Sequence, residues 1–286
     1  MRFKSSKEFL ALPSKSVTVM GMSGVGKTTF GALLQKSNWF QYSVDYRIGT
    51  KYMDEHIVDN FKREAMRNPF LRGLLQSDSI YIKSNISFDN LSPLSTYLGK
   101  PGNPEKGGIP FAEYKKRQAQ HREAELHALQ DVPAFIARAK DIYGYDNFIC
   151  DSGGSICEVV DPANNNDKAL KAITENTLLL YIEGTPEHAK MLVERFRKNP
   201  KPMYYQPTFL DAKWLEYKAA HKIKDDDSVD PDSFAIWGFE QLLHHRLPLY
   251  RAIAAKYGYT IPMTEVPHVK SEAEFTSLLS RVIDKA

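Results

Sequence analysis

The chain has 286 residues, 42% hydrophobic and 26% charged, an ordinary globular composition long enough for one elaborated domain or two. A formal net charge of +3 permits an anionic partner without demanding one, and is too small for a dedicated nucleic-acid coat. The two cysteines, Cys150 and Cys157, are too few for a disulfide framework and match no zinc spacing. The start of the sequence carries no signal-peptide core, and no run approaches the roughly 18 apolar residues of a membrane span. The expectation is a soluble, reduced, cytoplasmic protein without a membrane partner (host cytoplasm if viral).

In chain order, residues 1–15 read as a leader with a short helix over 7–12, closed by Pro13. The β-branched run at 16–20 predicts a strand, and a helix follows over 27–36. Residues 41–44 read as a second strand that delivers Asp45, Tyr46 and Arg47 at its carboxyl end. Helical periodicity over 53–75 places Ile57, Phe61, Ala65 and Met66 on one face, with Pro69 splitting the stretch in two. Residues 80–86 fit a strand or an extended loop. Turn formers crowd 92–108, the most flexible-looking part of the chain. Helices over 111–129 and 132–143 come next.

The stretch 147–151, NFICD, reads as a short buried strand ending in Asp151, followed by Ser152-Gly153-Gly154-Ser155. Then come a helix at 169–175, a buried strand at 177–182 and a helix at 187–198 ending in a basic cluster. Pro200, Pro202 and Pro207 make the next stretch irregular. A helix at 209–222, an acidic loop at 224–232 and a helical stretch at 234–257, broken near Pro248, lead to a last strand at 259–263 and a closing helix at 272–285. No repeat or low-complexity tract is present. Strands alternating with helices predict an α/β fold with a parallel sheet covered on both faces.

Gly21-Met22-Ser23-Gly24-Val25-Gly26-Lys27-Thr28 is a G-x-x-x-x-G-K-[ST] run between the first strand and the first long helix, the setting this phosphate-binding loop requires. Glycines let backbone N–H groups turn inward around phosphate oxygens, and the helix N-terminus adds partial positive charge. Lys27 is expected to bridge the β- and γ-phosphates and the Thr28 hydroxyl to ligate Mg²⁺; Thr29, next in the helix, joins the nucleotide-binding set. The fold expected is therefore a three-layer α/β/α P-loop NTPase domain over 1–286, with 53–145 a helical substrate-side insertion and 186–210 a lid-like basic segment.

Further residues complete a kinase reading. Asp151, ending a hydrophobic strand downstream of the loop, fits a Mg²⁺-holding acid. Asp45 fits the group that orients an acceptor hydroxyl and takes its proton, and Arg47 an anion fork; both also fit a surface ion pair or a helix cap. Arg195, first among Arg195, Arg197, Lys198 and Lys201, fits closure over the phosphates, and the cluster equally fits a solvated helix end. Lys83 and Asn85, with Tyr81 and Phe88, suit a nucleobase or simple loop packing. Lys115, Lys116, Arg117 and Arg122, mixed with Glu113, Glu123 and Glu125, read as a salt-laced solvent face. His244 and His245 lack metal-ligand spacing.

The order of these parts resembles the nucleoside-monophosphate kinase branch of P-loop proteins, and LPLYRAIAAKYGYTIPM with its final helix is similar to the closing segments of thymidylate-kinase-like enzymes. The Asp-Arg pair those enzymes carry after their acidic strand is replaced here by Asp151-Ser152-Gly153-Gly154. YSVDYRIGT and ICDSGGSICE resemble a narrower set that includes the bacteriophage 5-hydroxymethyluracil DNA kinases. That resemblance implies ATP and Mg²⁺ as cofactors and a base hydroxymethyl group in DNA as acceptor, in thymidine hypermodification that resists host restriction. A kinase of a free nucleotide or small metabolite, and an ATPase or nucleotide switch with Glu158 positioning water, are the alternative readings.

Overall fold

A computed structural model describes residues 1–286. In chain order the elements are α1 (Ser6–Leu10), β1 (Ser16–Met20), α2 (Lys27–Leu34), β2 (Trp39–Ser43), α3 (Val44–Arg47), α4 (Asp54–Ala65), α5 (Pro69–Gln76), α6 (Ser92–Leu98), α7 (Phe111–Gln130) and α8 (Val132–Asp141). They continue with β3 (Asn147–Asp151), α9 (Ile156–Val159), α10 (Lys168–Thr174), β4 (Leu178–Glu183), α11 (Pro186–Lys198), α12 (Pro207–Ala220), α13 (Pro231–Tyr257), β5 (Gly258–Pro262) and α14 (Glu272–Lys285).

Two compact units emerge. The first is Met1–Val44, Glu125–Lys198 and Phe239–Ala286; the second is Asp45–Ala124 and Asn199–Gly238. The division falls at other positions than an insertion over 53–145, and the second unit takes in 199–238 as well.

The first unit holds an all-parallel five-stranded sheet in the order β2-β3-β1-β4-β5. β1 is central and buried at all five positions, and β4 is buried along Leu178–Ile182. Near-continuous apolar strands of this kind belong to parallel sheets covered on both faces. Thr18 and Thr177 satisfy each other's hydroxyls in that interior at 2.8 Å. α2 buries Phe30 and Leu34, and Phe30 meets Phe275 of α14 edge-to-face at 5.0 Å. With β3 on one side of β1 and β4 on the other, the strand order reverses at β1, and the carboxyl ends around that point form the crevice where open α/β sheets take ligands.

The second unit is helical. Phe111 stacks on Trp214 at 4.3 Å, and Phe234 meets the same indole edge-on at 4.8 Å. Tyr205 N–H donates to Gln118 Oε1 at 2.9 Å.

Several expectations need correction. β2 begins at Trp39 and ends at Ser43, so Asp45 lies in the helical turn Val44–Arg47 rather than at the strand's end. The turn-rich stretch 92–108 contains α6, with Pro93 in its first turn and Leu94, Tyr97 and Leu98 buried; proline suits a helix start because its missing N–H has no partner there. α13 runs unbroken through Pro248, with Leu242 and Leu243 buried before it and Tyr250 and Ile253 after it, so packing on both sides outweighs the lost bond. Of the two readings of residues 80–86, the loop holds and the strand does not, since no regular element forms there. Arg117 is buried, donating to Asn60 Oδ1 at 3.2 Å and lying over the Tyr97 ring at 4.8 Å, which removes it from a solvent face.

Candidate functional site

The loop between β1 and α2 turns on glycine. Gly21, Gly24 and Gly26 have φ of 147°, 77° and 109°, values L side chains rarely adopt. At Gly21 space alone also excludes a side chain, since a Cβ would fall 2.5 Å from Ile182 O. Lys27, the first residue of α2, is buried, and its Nζ donates to Gly21 O (2.8 Å) and Met22 O (3.0 Å). The loop thus wraps an ammonium, while Ser23, Gly24, Thr28 and Thr29 stay exposed and Val25 anchors it inward.

The parallel register pairs Val19 with Asp151, so both strands end together. The Thr28 hydroxyl donates to Asp151 Oδ2 at 3.1 Å, and Gly153 N–H donates to Oδ1 at 3.1 Å. One hydroxyl and one carboxylate here offer oxygens to a hard divalent cation. No group of three or more His, Cys, Asp or Glu converges to hold a metal, so such a cation would draw its remaining ligands from phosphate and water, as Mg²⁺ commonly does.

Buried polar groups support this platform. Tyr250 Oη donates to Gly154 O at 2.8 Å and lies 3.2 Å from Gly21 O, tying the glycine loop to the turn after β3. Arg246, also buried, donates to Gly154 O at 2.7 Å and to Glu158 Oε2 through Nε at 2.9 Å. Burial disfavours the charge on that guanidinium, but the Glu158 carboxylate beside it outweighs this and holds it above its ordinary range. Ser155 Oγ donates to Glu125 Oε2 at 2.7 Å. Glu158 is therefore an ion-pair partner with its side chain out of solvent. His245 lies 3.9 Å from the same carboxylate.

Sequence reasoning missed His188. It is 5% exposed in the first turn of α11, and its Nε2 has no hydrogen-bond partner. The ring fits between two glycines: a Cβ on Gly184 would come within 2.8 Å of Nδ1, and one on Gly24 within 3.3 Å of Nε2. Burial first, then the charges of Arg195 and Lys27, hold its imidazole below the usual range. The only sequence signal is a histidine two residues after a Gly-Thr-Pro run. A cavity of about 550 Å³, lined by Met22, Thr185, His188, Leu192, Leu243 and Leu247 among others, opens beside it.

The other candidates divide between the units. Arg195 is in the first unit and exposed; Arg197 is engaged by Glu194 (3.0 Å) and Glu240 (2.6 Å). Asp45, Arg47, Lys83 and Asn85 belong to the second unit. There Asp45 is half-buried, the Arg47 guanidinium lies 5.5 Å from the Tyr52 ring centroid, and Lys83 and Asn85 are exposed. The structure brings Lys27, Thr28 and Asp151 together in one unit and groups the acceptor-side candidates in the other.

No helix is long and apolar enough to cross a membrane. Comparison with protein-family models matches none, and comparison with curated proteins finds no match.

Proposed function

We propose that the chain is an ATP-dependent phosphotransferase of the P-loop kind, with Gly21–Thr28 and Thr29 as the donor site and Mg²⁺ held at Thr28 and Asp151. The single observation that carries this reading is the Thr28 hydroxyl 3.1 Å from Asp151 Oδ2, directly after a loop whose three glycines all have positive φ. A strand, a glycine nest, a helix N-terminus and a second strand ending in an acid are the parts a Mg·triphosphate needs. When bound, the cation neutralises charge between the β- and γ-phosphates. Lys27 exchanges the Gly21 and Met22 carbonyls for phosphate oxygens, and Arg195 adds positive charge from α11.

The acceptor oxygen attacks the γ-phosphorus in line, Asp45 takes its proton, and the bond to the β,γ-bridging oxygen breaks to release ADP. The acceptor we propose is the hydroxymethyl group of 5-hydroxymethyluracil in DNA, a step in thymidine hypermodification in bacteriophage. The resemblance of YSVDYRIGT and ICDSGGSICE supports it. The burial of Glu158 in its ion pair with Arg246 speaks for a transferase over a hydrolase, since it leaves that carboxylate committed elsewhere.

Transfer of γ-labelled phosphate tests the proposal. Label is expected on hydroxymethyluracil-containing DNA and not on thymine DNA. Label only on a free nucleotide replaces the acceptor; inorganic phosphate alone with every acceptor overturns the kinase.

A further inference from the structure

The segment after α5 carries side chains that the donor site leaves unused. From Ile80 to Ser87 exposure alternates residue by residue: Tyr81, Lys83, Asn85 and Ser87 face solvent, while Ile80, Ile82, Ser84 and Ile86 are half-buried. A period of two is the signature of extended backbone, which sets alternate side chains about 6.6 Å apart on one face. The inward row fixes the segment to the second unit. Ser84 Oγ donates to Asp54 Oδ1 at 2.8 Å, Ile86 Cδ1 packs where a Cβ on Gly49 would lie 2.8 Å away, and Asn90 Nδ2 donates to Asn85 O at 2.7 Å.

The outward row is an aromatic, a cation and an amide in succession. Tyr81 is 81% exposed. Phe88, by contrast, already stacks on Tyr46 at 4.8 Å and 16°, so of the two rings Tyr81 is the one open to a partner. Arg63, Arg67 and Arg72 are exposed on the preceding helices and their connection, with Arg67 paired to Glu64 at 2.7 Å. Asp78 and Asp89 bracket the row, which keeps the positive charge local, in line with the small net charge of +3.

We propose that Tyr81, Lys83 and Asn85 form a track for single-stranded DNA: a base stacks on the Tyr81 ring, Lys83 meets a phosphate, and the Asn85 amide hydrogen-bonds a base edge. A stacking face alternating with a cation is how proteins hold single strands with little sequence preference. This rests on the kinase reading with a DNA base as acceptor, and adds that the enzyme takes its base from an unpaired or locally opened strand rather than from an intact duplex.

Fluorescence anisotropy with a labelled oligothymidylate of about 15 nucleotides, and with its duplex, tests the track. The wild-type chain is expected to bind the single strand more tightly than the duplex. Tyr81→Ala should weaken single-strand binding about tenfold, and Tyr81→Phe should retain it, because stacking does not use the hydroxyl. Lys83→Ala should lower the salt slope by about 0.7, one phosphate's share. Thermal unfolding of each variant reads folding separately. Equal binding by Tyr81→Ala and the wild type overturns the track, as does a preference for duplex. ATP binding by the wild type, measured alongside, separates the two claims: no oligonucleotide binding with ATP still bound overturns the track alone, and no ATP binding overturns the kinase reading and the track with it.

Discussion

Thr28 and Asp151 are 123 residues apart in the chain, yet the Thr28 hydroxyl donates to Asp151 Oδ2 at 3.1 Å. Adjacent parallel strands bring this about, because β1 and β3 run in register and end side by side. If the two oxygens share a Mg²⁺, Asp151→Asn should lower phosphate transfer by roughly hundredfold or more, in the range seen when one charge-stabilising group is removed, and should raise the Mg²⁺ concentration needed for half-maximal rate. An unchanged Mg²⁺ dependence would remove Asp151 from the metal.

In the proposed reaction Asp45 takes the proton of the acceptor hydroxyl. Asp45→Asn should lower the turnover rate and leave ATP affinity nearly intact, since a general base contributes about 10²–10⁴-fold to rate and nothing to donor binding. Calorimetric titration of ATP alongside turnover checks this; a large loss of ATP affinity would move Asp45 to the metal.

The strands and the glycine loop were legible in the sequence because their signals are local. A β-branched run, a G-x-x-x-x-G-K-[ST] spacing and a hydrophobic stretch ending in Asp151 each occupy a few consecutive residues. What stayed hidden depends on tertiary partners. Glu158 looked available because nothing nearby in sequence shows Arg246, 88 residues later, closing on it. His188 had no motif; its place is set by two glycines, Gly24 and Gly184, from separate segments. Turn formers make 92–108 look irregular and Pro248 look like a breaker, but Pro93 sits in the first turn of α6 and a well-packed α13 passes through Pro248. Tyr81 and Phe88 looked alike in sequence, and only the Tyr46–Phe88 stack tells them apart.

His188 predicts a pH dependence of stability. Burial, Arg195 and Lys27 lower its folded-state pKa from the ordinary 6.5, so the unfolded chain takes up the proton more readily. Its contribution to stability is complete above 6.5 and is lost as pH falls through the lowered folded value. Urea midpoints between pH 5 and 8 should fall on the acid side in the wild type and fall less in His188→Gln. Equal slopes would remove His188 as a source of the effect.

Arg246 and Glu158 form a buried pair, and removing one partner of such a pair costs about 3–5 kcal/mol because the remaining charge loses its compensation. Arg246→Met should destabilise by that order, and the double replacement Glu158→Met with Arg246→Met should recover most of it. Urea unfolding of the three proteins checks this. A double variant no more stable than Arg246→Met would mean that the guanidinium acts chiefly through Gly154 O, its other acceptor.

If Gly21–Thr28 is the donor site of a kinase, Lys27 is indispensable to it, and transfer of γ-labelled phosphate by the wild type and by Lys27→Ala, side by side on hydroxymethyluracil-containing DNA, shows whether it is. Labelled DNA is expected with the wild type and none with a folded Lys27→Ala. Full transfer by Lys27→Ala would contradict the donor-site reading.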